Sequence, residues 1–284
     1  MKLPQPEPGA LDPAIWTSEE RTSVLRTHAA QNSAASIEET IALLEAAEIG
    51  PGHRVLDIAC GPGDPTLEIA SRVTPGGDVT GIDLSEGALS VARERAESAR
   101  LTNVTFLSAN AEELPFPEAT FDRAVSRFGF MFFQDLPRAL REVHRVLRPG
   151  GRLAVMVWGP FDQPYFQLTV GVLLRTQGVS ELPRDRAVQF RFAPPGSLEA
   201  ALTTARFENV EGRIRNLRWM RKGTPEEVRD AWAAGAVYQR PLIDALSDES
   251  RSRAWKEIAE GFRRFYDGEW VRVPLVVRVV TASR

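Results

Sequence analysis

Apolar and polar positions alternate along the chain in blocks that predict a run of strands and helices. HRVLDIA is a short apolar run of the kind that forms a buried strand. PTLEIASRV reads as a helix, DVTGIDL as a second strand, and EGALSVARERAESAR as an amphipathic helix with Ala, Leu and Val on one face. NVTFLSA predicts a third strand, FDRAVSRF a fourth, ALREVHRVL a helix and GRLAVMVW a fifth strand. Strands that alternate with helices predict right-handed crossovers and a parallel sheet covered on both faces, here over roughly residues 50–158.

The flanks are less regular. Residues 17–48 predict helices, with capping boxes at Thr17/Glu20 and Ser36/Glu39, and Pro51 with Gly52 ends that segment. The Pro-rich first dozen residues are expected to be loosely attached. Residues 160–205 predict helix and loop, FENVEGRIRNLRWM a strand, TPEEVRDAWAAGAVYQ and ESRSRAWKEIAEGFRRFY helices, and WVRVPLVVRVVTAS a closing strand. The last two strands are expected to extend the sheet edge as a hairpin-like pair, with helices 224–266 inserted between them. The implied division is an N-terminal helical lid (1–49), a nucleotide-type core (50–159), and a remainder of the sheet (160–284) whose insertions cap the site.

Composition narrows the function. Of 284 residues, 43% are hydrophobic, enough apolar surface to exclude wholesale disorder. The net charge of −3 argues against a dedicated nucleic-acid binder. One cysteine permits neither an intrachain disulfide nor a cysteine-based zinc cluster, and a reducing cytoplasm is the expected location. No apolar signal core or spanning segment is evident.

The sharpest motif is VLDIACGPGD, residues 55–64. A strand runs into a turn of small residues, Ala59-Cys60-Gly61-Pro62-Gly63, which opens a helix. Glycines there allow positive φ and close approach of a ligand to the backbone, beyond the carboxyl ends of the strands. Gly61 and Gly63 lack the third glycine of a dinucleotide fingerprint, since Pro65 and Thr66 follow. Asp57 at the loop entrance suits a cationic amino group rather than a pyrophosphate. Asp83 lies 26 residues on, at the end of the second strand, where a carboxylate can accept both hydroxyls of a ribose or cap the next helix, a role Ser85 can also take.

The loop resembles motif I of the class I S-adenosylmethionine (SAM)-dependent methyltransferases, with Ala59 in place of the first glycine. NAEELPF, residues 110–116, resembles that family's adenine-contacting segment, where Asn110 replaces the usual Asp and keeps an acceptor without its charge. RVLRPGG leading into the fifth strand, and the Phe-rich SRFGFMFF, resemble the branch that methylates ubiquinone and menaquinone precursors. The resemblance implies an α/β, Rossmann-like three-layer sandwich with a seven-stranded, mostly parallel sheet whose last strand is antiparallel. It implies SAM as cofactor, S-adenosylhomocysteine as product and no metal. The cofactor contacts it implies are Asp57, Ala59, Gly61, Gly63, Asp83, Leu84, Asn110, Ala111 and Arg127.

Methyl transfer needs orientation first and a base only where the acceptor must lose a proton. His28, in the segment that the family folds over its cofactor, is the best of three histidines; His53 and His144 read as structural. Arg127, ending the fourth strand, is expected either in the acceptor pocket or paired with Asp135. The expected function is methyl transfer to a small, hydrophobic or aromatic acceptor, with no nucleic-acid partner and a monomeric or homodimeric state. The alternatives are a non-catalytic SAM-binding partner subunit and a nicotinamide-dependent oxidoreductase.

Overall fold

The structure is a computed structural model that describes residues 14–183 and 187–284. The Pro-rich opening segment lies outside the described residues.

Seven strands form one sheet in the order β3-β2-β1-β4-β5-β7-β6. They are β1 (Arg54–Ile58), β2 (Asp78–Asp83), β3 (Val104–Ser108), β4 (Phe121–Arg127), β5 (Leu147–Trp158), β6 (Glu208–Lys222) and β7 (Trp270–Ser283). The pairs β1–β2, β1–β4, β2–β3 and β4–β5 are parallel, whereas β7 runs antiparallel to both of its neighbours, β5 and β6. The doubly wound order places a switch of direction at β1 and β4, where an open α/β sheet keeps its ligand crevice.

Among the described residues, the α-helices up to residue 176 are α1 (Ala14–Thr17), α2 (Glu19–Ala35), α3 (Ile37–Ala46), α4 (Thr66–Arg72), α5 (Glu86–Ser98), α6 (Leu136–Val146), α7 (Pro164–Gln167) and α8 (Val170–Thr176). After the second described stretch begins come α9 (Ser197–Thr204), α10 (Pro225–Gly235), α11 (Arg240–Asp244) and α12 (Asp248–Arg263). The last three lie between β6 and β7, where the sequence places an insertion. No described helix is long and apolar enough to cross a membrane.

Burial spacing explains the layers. In α6, Leu136, Ala139, Leu140, Val143 and Val146 are buried, a stripe that packs with Leu56, Ala124, Leu153 and Val155 on one face of the sheet. On the other face, Leu43, Leu44 and Ala47 meet Val55, Val125, Ala154 and Met156. A separate cluster, built on Phe166, Phe190, Trp232, Ile258, Phe262 and Val273, joins the helices of the two insertions to β7.

Three local expectations need correction. Thr17 closes α1, and Ser18 caps α2 by accepting from the Arg21 amide at 3.3 Å. Ser36 makes no side-chain cap for α3. Its hydroxyl donates instead to the Asn32 carbonyl at 2.9 Å, the same i−4 oxygen that accepts the Ser36 amide at 3.1 Å at the end of α2. RPGG is also drawn into β5, where the register with β4 shifts between Phe121 and Arg123.

Candidate active site

The glycine loop joins β1 to α4 and has three left-handed residues: Ala59 (φ 59°), Gly61 (φ 55°) and Gly63 (φ 98°). A side chain at Gly61 would point into open space, whereas one at Gly63 would press on Leu67 and Ala92. Ala59 therefore occupies a backbone geometry that favours glycine, at a cost of roughly 1–2 kcal/mol. Room for its methyl comes from Gly129, where an added Cβ would lie 2.7 Å from that of Ala59.

Asp83 ties the loop to the next crossover. Its Oδ2 accepts from the Gly61 amide and its Oδ1 from the Ser85 amide, both at 2.9 Å. Ser85, not Asp83, caps α5, accepting from the Ala88 amide at 3.2 Å. Each Asp83 oxygen is fixed in place by backbone and retains a further lone pair for a hydroxyl donor. Leu84 beside it is 52% exposed, a bare apolar face at the crevice. Asn110 Oδ1 accepts from the Glu112 amide at 2.9 Å, an Asx turn that fixes the side chain next to buried Ala111.

Asp57 is fully buried at the base of the loop. Its Oδ2 accepts from the Thr66 hydroxyl at 2.5 Å, and its Oδ1 has no partner. Burial pushes its carboxyl up to about 7; Thr66 and Arg127 pull it down, and Asp64 and Asp83 push it up. An orphaned buried acceptor of this kind fits a cationic amino group or a water bridging to one. Cys60 is also buried, and burial pushes its thiol well up, which leaves it no nucleophilic character.

Helix α2 closes over this crevice. Arg95 on α5 donates to the Pro62 carbonyl at 2.5 Å, to Asp64 at 3.0 Å and to the Ser33 hydroxyl at 2.6 Å, and Ser33 donates to Asp64 at 2.7 Å. Gly87 admits Thr22 of α2 so closely that any Cβ there would overlap it. Arg21 stacks on Trp16 at 4.6 Å, and the negative charge of Asp83 partly offsets its burial.

Arg127 does not pair with Asp135, which caps α6 through the Arg138 amide. It donates instead to the Ser36 hydroxyl at 2.9 Å and to the Thr40 hydroxyl at 2.8 Å, which pins the start of α3 to the carboxyl end of β4. His28 sits half-buried on α2 and contacts Gln31 at 3.2 Å, away from any bond to the glycine loop among the described residues. His53 accepts from the Gly50 amide and His144 meets Phe207 edge-on, both structural contacts.

Sequence reading assigned Glu39 only a capping role beside Ser36 and singled out neither Arg95 nor Arg221. Glu39 is only 1% exposed, and burial pushes its carboxyl up to about 7, with its own backbone N–H and Arg127 pulling it down and Glu38 pushing it up. The signal was present: in IEETIALLEA an acid stands four residues before Leu43, on the stripe that packs against the sheet. Among the described residues, no three His, Cys, Asp or Glu side chains cluster as metal ligands.

Residues 55–151 match a family described as a methyltransferase domain. A demethylmenaquinone methyltransferase of Listeria welshimeri is 43% identical over 117 residues, 41% of this chain and 48% of the relative. The chain thus spans about half the length of such curated relatives. A ubiquinone/menaquinone biosynthesis C-methyltransferase of Pasteurella multocida, UbiE, is 41% identical over 178 residues, 59% of this chain and 66% of the relative. Among solved structures, the YcgJ protein of Bacillus subtilis superposes with a TM-score of 0.55 at 22% identity, over 87% of this chain and 98% of that one, a likeness of fold.

Proposed function

We propose, from the premise that this chain carries a class I SAM-dependent methyltransferase domain, that it methylates a small organic acceptor with a planar, hydrophobic or aromatic body. The observation that carries the reading is Asp83, held by the Gly61 and Ser85 amides at the mouth of a left-handed small-residue loop. When bound, SAM supplies a methyl group already activated on a sulfonium.

The chain's own residues then have assignable tasks. Asp83 accepts the two ribose hydroxyls. Gly61 leaves space for the ligand above the backbone, and Gly63 holds the turn in place. The orphan Oδ1 of Asp57 answers the charge of the amino-acid tail. Leu84, Asn110 and the Ala111 amide border the adenine. Helix α2, latched through Ser33 by Arg95 of α5, excludes water. Arg127 acts through α3, shaping the acceptor side rather than touching the cofactor; His28 is left without a catalytic assignment. Residues 14–49 serve as lid and the insertions within 160–205 and 224–266 as acceptor cap, in a cytoplasmic protein.

An aromatic wall supports the acceptor class. Phe128 stacks on Trp158 at 3.6 Å, Trp158 on Tyr165 at 6.4 Å, and Tyr165 meets Trp219 at 5.3 Å. The names of the relatives point the same way, toward quinone-like rings. The nicotinamide alternative has no support in residues 55–151, which match a methyltransferase domain. A screen of aromatic and quinol-type acceptors, read by release of S-adenosylhomocysteine, tests the proposal: turnover of a planar hydroxylated ring is expected. Binding of the cofactor without turnover across the panel would favour a non-catalytic partner subunit.

A further inference from the structure

A buried polar island lies beneath the first turn of α3, outside the cofactor crevice. Glu39, the third residue of that helix, has an Oε2 atom with no partner. Such an oxygen is costly, and an apolar side chain on the same stripe would avoid the cost. Glu39 makes no ion pair among the described residues, whereas its neighbour Glu38 is taken by Arg218 of β6. The surroundings have a definite chemistry. Arg127 reaches the same helical turn from β4, and Tyr165, which follows β5, packs against the cluster that holds Leu43 and Leu44; burial first and the Glu39 carboxylate next push its phenol up. Arg221 of β6 is spent on Asn32 at 2.9 Å and Gln31 at 3.0 Å. β7 brings Leu275, Val277 and Val279 to this core. The island therefore adjoins the aromatic wall at Tyr165, at the end of the sheet where β4 delivers Arg127.

We propose that Glu39 is the residue that takes a proton from a ring hydroxyl of the acceptor. The assignment rests on the methyl-transfer reading. The O–H bond breaks toward Glu39 Oε2, and the electron pair left on the acceptor, at oxygen or at a conjugated ring carbon, forms the new bond to the methyl carbon. The carbon–sulfur pair stays on sulfur, so the products are methylated acceptor, S-adenosylhomocysteine and a protonated Glu39. No other reactant is required. Geometry sets the requirement, and the raised carboxyl sets the pH at which it operates. Below about 7 Glu39 is protonated and cannot accept, so hydroxyl binding and turnover rise as pH increases through about 7.

The test uses the full chain loaded with S-adenosylhomocysteine and titrated calorimetrically with naphthol, naphthohydroquinone and, as a control without a donor, methoxynaphthalene. Wild type should bind the two hydroxylated probes about tenfold more tightly than Glu39→Gln does, while both bind the ether alike. That advantage should grow with pH in wild type and in Glu39→Asp, and be flat in Glu39→Gln. S-adenosylhomocysteine affinity should be the same in all three. The assignment is overturned if Glu39→Gln binds naphthol as wild type does, if wild type binds no hydroxylated probe, or if Glu39→Gln loses the cofactor product. If wild type fails to bind S-adenosylhomocysteine, the methyl-transfer reading falls and this assignment with it; success there with failure on naphthol removes this assignment alone.

Discussion

Around the glycine loop, several polar side chains bond to backbone within three residues. Asp83 accepts from Ser85, Asn110 from Glu112, and Ser85 from Ala88. Around α3 and β6 the corresponding bonds span the chain: Arg127 reaches Thr40 across 87 residues, and Arg221 reaches Gln31 across 190. The first region is shaped in large part by its own turns, with Arg95 and Ser33 adding a latch from α5 and α2. The second exists only when α2 and α3 are docked on β4 and β6. A fold of this kind can hold one cofactor crevice constant and vary the acceptor site by changing the pieces that dock over it.

The largest effect that sharpens this contrast is expected at Gly61. Gly61→Val puts a β-branched side chain at positive φ and into the space above the loop. S-adenosylhomocysteine affinity should fall at least about a hundredfold by calorimetry. Trp219→Ala in β6 should leave that affinity within about threefold, since the proposed aromatic wall lies away from the glycine loop. Equal losses in the two variants would erase the distinction between the regions.

Next in size is the pH dependence of stability. Asp57 and Glu39 both titrate higher in the folded chain than unfolded, at about 7 against 3.8 and 4.5. The native state then binds extra protons, so this contribution to stability is fully present below the unfolded values and is lost as pH rises through about 7. The ligand-free protein should lose thermal stability between pH 4 and pH 7 from these two groups and change little from them above that. Asp57→Asn should flatten the fall, leaving the variant more stable than wild type at alkaline pH by on the order of 2 kcal/mol. Parallel melting-temperature curves for the two proteins would contradict the burial argument. Smallest is Ala59→Gly, which relieves a left-handed alanine and should stabilise by about 1 kcal/mol or less in denaturant unfolding.

The same contrast explains what the sequence made legible. The alternation of apolar runs with helices, and the turn VLDIACGPG, announce the parallel core and its crevice because they are local signals of period and turn chemistry. The hairpin-like β6–β7 pair was readable for the same reason. Arg127 was readable as a residue at a strand end but not in its partners, since the choice between Asp135 and α3 depends on how α3 docks. Asp57 was legible as an acid at the end of the first strand, but the bond it accepts from Thr66, nine residues on, was not. Glu39 was hidden because an acid near a helix start reads as a cap or dipole partner until the opposing sheet is known to cover it.

The most direct measurement is calorimetry of S-adenosylhomocysteine with the purified chain and with Asp83→Ala. The account predicts one site per chain, with Asp83→Ala weakened by roughly ten- to a hundredfold, the loss of hydrogen bonds to a charged acceptor worth on the order of 1.5–3 kcal/mol. No heat of binding to the wild-type chain at about millimolar ligand, or equal affinity in the two proteins, would contradict it.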